Sequence, residues 1–165
     1  MTKINYVVGD ATNPTFGQEG HKIIAHVCND IGKWGAGFVL AISKRWYSPR
    51  EAYIIWSNSK SETFAIGNTQ FVEVKNINGE KTIVANMIAQ SGTINKYNPQ
   101  PLNYDALRAT LTTIGLYAQV SGASVHLPKM IGCGLAGGKF EIVEQIINDT
   151  LIRMGVEVYV YEYRG

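Results

Sequence analysis

Two apolar stretches constrain this chain more than any other feature. "KIIAHVC" (22–28) is nearly continuous in its hydrophobicity, and "ASVHLPK" (123–129) is a second apolar strand pattern. A strand without polar alternation has no face to give to water, so both of its sides must be covered. Each stretch feeds a glycine-rich bend, and each bend leads into residues with helical spacing. Strand, bend and helix, used twice, call for a sheet with helices on both faces.

The remaining segments fit that scheme. "INYVV" (4–8) reads as a strand stopped by Gly9-Asp10. "GFVLAISKRW" (37–46) has the helical spacing of Phe38, Ala41, Ile42 and Arg45, and Pro49 suits the first turn of a second helix, "PREAYIIWSNS". "TQFVEVKN" (69–76) and "KTIVANMIA" (81–89) are strands joined through Asn78-Gly79, a hairpin signal that requires antiparallel pairing. Helical patterns follow at 103–121 and 139–155, the second ending at Gly155, and 156–163 reads as a final strand. The expected class is α/β, a three-layer α/β/α sandwich with a mixed, mostly parallel central sheet. At 165 residues, one domain spanning 1–165 is expected.

Composition narrows the chemistry. The net charge of +2 is too small to argue for a polyanion partner. Cys28 and Cys133 do not form a CxxC pair, and no His/Cys cluster has zinc spacing, so neither a metal nor a cofactor is implied. The N-terminal residues lack the apolar core of a secretory signal, and no apolar run approaches the roughly 20 residues that span a bilayer. A reduced, soluble, cytoplasmic protein with no membrane association is the expectation.

The bends carry the functional signal. They read "NDIGKWGAGF" and "MIGCGLAGGKF". Glycine lets a backbone approach a ligand closely, and the helix start beyond it offers unpaired N–H groups and a positive dipole end. Together these make a site for phosphate or diphosphate that needs few cationic side chains. Glycines that merely turn the chain would look similar at one bend, but two such bends after apolar strands favour the ligand reading. Neither bend is a Walker A loop or the GxGxxG dinucleotide fingerprint.

Over nearly its whole length the chain resembles a macro domain, the α/β/α module that binds ADP-ribose. "YVVGDAT", "IIAHVCNDIGKWGAGFVLAIS" and "LPKMIGCGLAGGKFEIVEQII" carry the resemblance. "GKWGAG" after "HVCN", and "GCGL" later, are similar to the branch holding the terminal ADP-ribose protein glycohydrolase and the yeast ADP-ribose-1″-phosphate phosphatase. The resemblance implies roles residue by residue. Gly32, Lys33, Trp34, Gly35, Ala36 and Gly37 would wrap the distal ribose and a phosphate, with Trp34 as a wall of the cleft. Ile131, Gly132, Cys133, Gly134, Leu135, Ala136 and Gly137 would cover the diphosphate from the other side. Asp10 would accept a hydrogen bond from the adenine amino group, Ala11 would add backbone contacts, and Tyr163 would stack on the base.

For chemistry, the resemblance points to Asn29 against the distal ribose hydroxyls and His26 as acid or base. Strand alternation puts these two on opposite faces, unless the strand ends before Asn29. The glycohydrolase-type lysine and aspartate are replaced here by Gln90 and Ala136, which can form no imine-type adduct and carry no proton. The expected function is binding of ADP-ribose with hydrolysis of a derivative, either ADP-ribose-1″-phosphate or an ADP-ribosylated protein. A non-catalytic ADP-ribose reader is the alternative. RNA binding through Lys44, Arg45 and Arg50 is a third, disfavoured reading, because cations in a last helical turn usually complement the dipole.

Overall fold

In the computed structural model, residues 2–17 and 20–165 are described. Among them, the chain runs β1 (Ile4–Val8), β2 (Lys22–Asn29), α1 (Phe38–Arg45), α2 (Ser48–Asn58), β3 (Thr69–Lys75) and β4 (Lys81–Gln90). It continues through α3 (Tyr104–Ser121), β5 (Ser124–Pro128), α4 (Phe140–Ile147) and β6 (Val158–Glu162). The strands form one six-stranded sheet in the order β1-β6-β5-β2-β4-β3. Only the β3–β4 hairpin pairs antiparallel; the other neighbours are parallel.

Two cores make this a three-layer α/β/α sandwich. On one face Ile23, Ala25, Ala85, Met87, Val125 and Leu127 pack against Leu107, Leu111 and Ile114 of α3 and Val143, Ile146 and Ile147 of α4. On the other, Cys28, Val84 and Ile88 pack against Val39 and Ile42 of α1 and Tyr53 of α2. The central strands therefore bury both faces: in β2, Ile23, Ile24, Ala25 and His26 are all at most 1% exposed. Their unbroken apolar character follows from this double covering.

Three departures from the sequence expectation have local causes. The helix expected to reach Gly155 stops being α-helical at Ile147 and continues as a wider π-helical turn, Asn148–Ile152, before Gly155 turns it at φ 77°. The last strand ends at Glu162 because its partner β1 ends opposite it, at Val8. Tyr163 therefore lies beyond the strand. In β2 the register against β4 shifts between Cys28 and Asn29, so the strict alternation fails at its last residue.

Candidate functional site

The two glycine-rich bends leave the carboxyl ends of β2 and β5, which are hydrogen-bonded parallel neighbours. They therefore open at the same edge of the sheet, the edge at which open α/β sheets take ligands. Between them lies a cavity of about 580 Å³, walled by Ala36, Gly37 and Phe38 on one side and by residues from Pro128 to Ala136 on the other. The loops nearly meet, since a Cβ added at Gly37 would stand 3.5 Å from Leu135 Cδ1. A second cavity of about 400 Å³ shares Phe38, Pro128, Tyr161 and Tyr163 with the first and is bordered by Asp10, Ala11 and Thr12. A third, of about 270 Å³, shares Ala36, Gln90 and Leu135 with the first and is bordered by Asn29, Lys33, Thr93 and Ile94. The three make one continuous cleft.

Main-chain donors converge on its middle. Among the described residues, the amides of Gly35, Ala36, Gly37, Phe38 and Val39 donate to no protein acceptor. The start of α1 has neither a capping side chain nor an acidic residue in its first turn, and Gly37 enters it at φ 78°, a conformation that favours glycine. Across the cavity, the amides of Gly132, Gly134, Leu135 and Ala136 are equally uncommitted among the described residues, while their neighbours are tied down: Cys133 N–H to the Met130 carbonyl (2.9 Å) and Gly138 N–H to the Gly132 carbonyl (2.9 Å). Clustered unpaired amides beside a helix start are an arrangement suited to an anion.

Asn29 is spent on its own loop. Its Oδ1 accepts from the amides of Ile31 and Lys33 (both 3.1 Å) and from the Tyr53 hydroxyl (2.8 Å), while its Nδ2 donates to the Lys33 carbonyl (2.7 Å). The register shift in β2 brings the side chain to the Tyr53 face, which is also the face of His26 and Cys28. The two residues nonetheless border different parts of the cleft, His26 the middle and Asn29 the distal cavity.

His26 is 1% exposed. Asn86 donates from Nδ2 to the Pro49 carbonyl and to Gln70 Oε1, which leaves its Oδ1 to accept the proton of His26 Nε2 at 2.6 Å. Burial pushes the imidazole pKa down to about 4, so the ring is neutral near pH 7. Trp34 stands edge-on to it at 5.4 Å. Burial also raises the Cys28 thiol pKa well above its ordinary range.

The cavity beside Asp10 is charged. Asp10 Oδ1 accepts from the Thr12 amide (2.9 Å) and hydroxyl (2.7 Å), and Arg45 reaches Asp10 Oδ2 at 3.0 Å. Burial works to raise the Asp10 pKa, but the Thr12 bonds and the Arg45 charge together outweigh it and lower the value. At the distal end Lys33 is exposed and forms no ion pair among the described residues.

Most of the residues singled out from sequence border this cleft: Asp10, Ala11, His26, Asn29, Lys33, Gly35, Ala36, Gly37, Gln90, Tyr163 and the run from Ile131 to Ala136. Three do not, and need correction. Trp34 is no wall: it is 7% exposed, packs on Tyr53, and gives its indole N–H to the Ser43 hydroxyl at 2.8 Å. The glycines beside it let the chain dip into the α1–α2 layer. Gly32 backs onto Ser57 of α2, and the Gly137 α-carbon faces the Pro99 carbonyl so closely that no Cβ would fit between them. Sequence reasoning missed Thr12, Phe38, Tyr161, Thr93 and Ile94 as cleft residues, and assigned Arg45 to a basic surface group. Only the helical spacing of Phe38 and Arg45 hinted that they share a face.

Fold and site together define a class: a three-layer α/β/α domain with an amide-lined cleft between the loops after neighbouring parallel strands. No protein-family model matches the chain. It is similar to a solved macrodomain protein from Streptomyces coelicolor, with 44% identity over 99% of this chain and 100% of that one and a TM-score of 0.83. It is 30% identical over 98% of its length to mouse chromodomain-helicase-DNA-binding protein 1-like, of which it spans 18%; it spans 16% of the zebrafish form. It is 23% identical to the ADP-ribose 1″-phosphate phosphatase of Lodderomyces elongisporus, over 96% of this chain and 99% of that protein. The chain belongs to the macro domain family. Among the described residues, no helix is long and apolar enough to cross a membrane.

Proposed function

We propose that residues 1–165 form one binding unit for ADP-ribose, with the diphosphate on the uncommitted amides of the two loops. The observation that carries this reading is the convergence of those amides on one cavity with room for a nucleotide on one side and a sugar on the other. Adenine lies in the base-side cavity, its amino group toward Asp10 and its ring against Tyr163; the distal ribose enters the cavity beside Asn29 and Lys33. The relative named ADP-ribose 1″-phosphate phosphatase supports the ligand class. Calorimetry with ADP-ribose, ADP and AMP in parallel tests it. ADP-ribose binding at least tenfold tighter than AMP is expected; equal affinity for the two removes the proposed distal reading.

Turnover is a second step of the proposal. Hydrolysis of ADP-ribose-1″-phosphate, or of the bond in a mono-ADP-ribosylated protein, would proceed with a water positioned between diphosphate and distal ribose, since positioning alone lowers a barrier. Gln90 and Ala136 bring no nucleophile or acid to that point, and Gln90 donates to the Gly92 carbonyl at 2.9 Å. The bonded, neutral state of His26 favours the reader alternative, in which the chain binds and releases ADP-ribose unchanged. Incubation with each of the two substrates decides between them: product from either supports the hydrolase, and tight binding without product leaves the reader.

A further inference from the structure

The base-side cavity contains a connection that the diphosphate and sugar do not need. Arg45 spans two residues of the β1–β2 loop. Its Nε donates to Thr12 Oγ1 at 2.7 Å and its Nη2 to Asp10 Oδ2 at 3.0 Å. Thr12 in turn gives both its amide and its hydroxyl to Asp10 Oδ1. Three side chains thus close a ring, and Thr12, 2% exposed, holds it from beneath.

We propose that Arg45 is a positioning residue for base recognition, leaving Asp10 one fixed acceptor direction and tying it to the helix that begins at the diphosphate. The inference rests on the ADP-ribose reading above and adds to it the residue that enforces base choice. Three physical points carry it.

The first is acceptor capacity. A carboxylate oxygen accepts about two hydrogen bonds. Oδ1 of Asp10 already has two, both from Thr12. Oδ2 has one, from Arg45, so a single lone pair remains for a ligand. That lone pair suits the N–H of a 6-amino purine and repels the carbonyl of a 6-oxo purine.

The second is distance. Arg45 is the last residue of α1, and the uncommitted amides of Phe38 and Val39 lie at its start. At about 1.5 Å per residue the helix sets a span of roughly 10 Å between the two sites. A carboxylate bonded to the far end of that strut is held at a fixed separation from the anion-binding amides.

The third is charge. A diphosphate ligand would meet an unpaired Asp10 as a repelling neighbour. Arg45 neutralises it, and with both side chains about one-third exposed the pair is partly shielded from water. A lysine could supply the charge, but it lacks the planar fork that reaches both Thr12 and Asp10.

The test compares ADP-ribose with its 6-oxo analogue, inosine diphosphate ribose, by calorimetry on the wild type, Arg45→Ala and Arg45→Lys. The wild type is expected to prefer the amino form by about tenfold, since a partly shielded acceptor left facing a carbonyl penalises the wrong partner. Arg45→Ala should lose about tenfold in ADP-ribose affinity and bring the amino/oxo ratio to within about twofold of unity. Arg45→Lys should regain affinity but not the ratio. Thermal unfolding of each variant confirms that the chain remains folded; Arg45 lies at the surface, so little change is expected. If the wild type does not bind ADP-ribose, the ligand reading fails. If it binds and discriminates, and Arg45→Ala discriminates equally well, the clamp alone is overturned.

Discussion

The two ends of the cleft are built on opposite plans. At the base end, charged groups are partly exposed and meet one another across 35 residues of sequence: Asp10 with Arg45, bridged by Thr12. At the distal end, polar groups are neutral and already committed, Asn29 to its own loop and to Tyr53 and Gln90 to Gly92, and in the middle of the cleft His26 is committed to Asn86. The Asp10 end is the one to which the proposed ligand presents its base. The distal end is arranged to hold a shape, and its one unpaired charge among the described residues is the exposed Lys33. The difference teaches that one cleft can carry partly exposed charges at one end and neutral, already bonded groups at the other.

Four changes test that contrast, in descending order of expected effect. Ala36 borders both the middle and distal cavities but not the base end. Ala36→Glu puts a carboxylate beside the proposed diphosphate and should weaken ADP-ribose by on the order of 100-fold, because like charges in a cleft cost several kcal/mol. AMP, which stops short of the distal end, should lose far less; equal losses measured by calorimetry would erase the distinction between the ends.

The second concerns protons. The His26 pKa falls from an ordinary 6.5 to about 4 on folding. The unfolded chain then takes up the proton first, so this group's stabilisation is complete above about pH 6.5 and disappears as pH falls toward 4. The loss is about 3 kcal/mol. In acid-denaturation curves His26→Gln should flatten this limb. Any turnover should show no ionisation of His26 near neutrality; a limb at pH 6–7 that vanishes in His26→Gln would mean the middle of the cleft does carry acid–base chemistry.

Tyr163→Ala removes an exposed ring that borders the base-side and middle cavities. Stacking on a base contributes about 1–3 kcal/mol, so affinity for ADP-ribose and AMP should fall alike, by about tenfold. A loss confined to ADP-ribose would move the ring's role away from the base. Lys33→Ala should have the smallest effect, about two- to threefold and only on ADP-ribose-1″-phosphate, as expected for an exposed cation. A larger, salt-insensitive loss would show a more enclosed distal site.

Much of the fold was legible because it depends on local patterns. The unbroken stretch at 22–28, the Asn78-Gly79 turn and the spacing of Leu107, Leu111 and Ile114 each marked an element to within a few residues. The bends stood out because glycines ahead of a helix start leave main-chain amides without intrahelical partners. Trp34 was misplaced because its flanking glycines suggested a loop facing solvent; the Ser43 hydroxyl that draws the indole inward lies on the next helix. Arg45 was read as a surface cation because its carboxylate partner lies before β2 in the chain.

The sequence alone thus determined which segments become strands and helices, and that two flexible bends end apolar strands, since hydrophobic period and backbone freedom are properties of neighbouring residues. Only the tertiary structure decided that β5 pairs beside β2, which brings those bends face to face, and that a register shift turns Asn29 toward Tyr53. It also decided which polar groups stay uncommitted. Pairing between distant strands and competition among distant donors are settled by packing, and no local pattern encodes the winner.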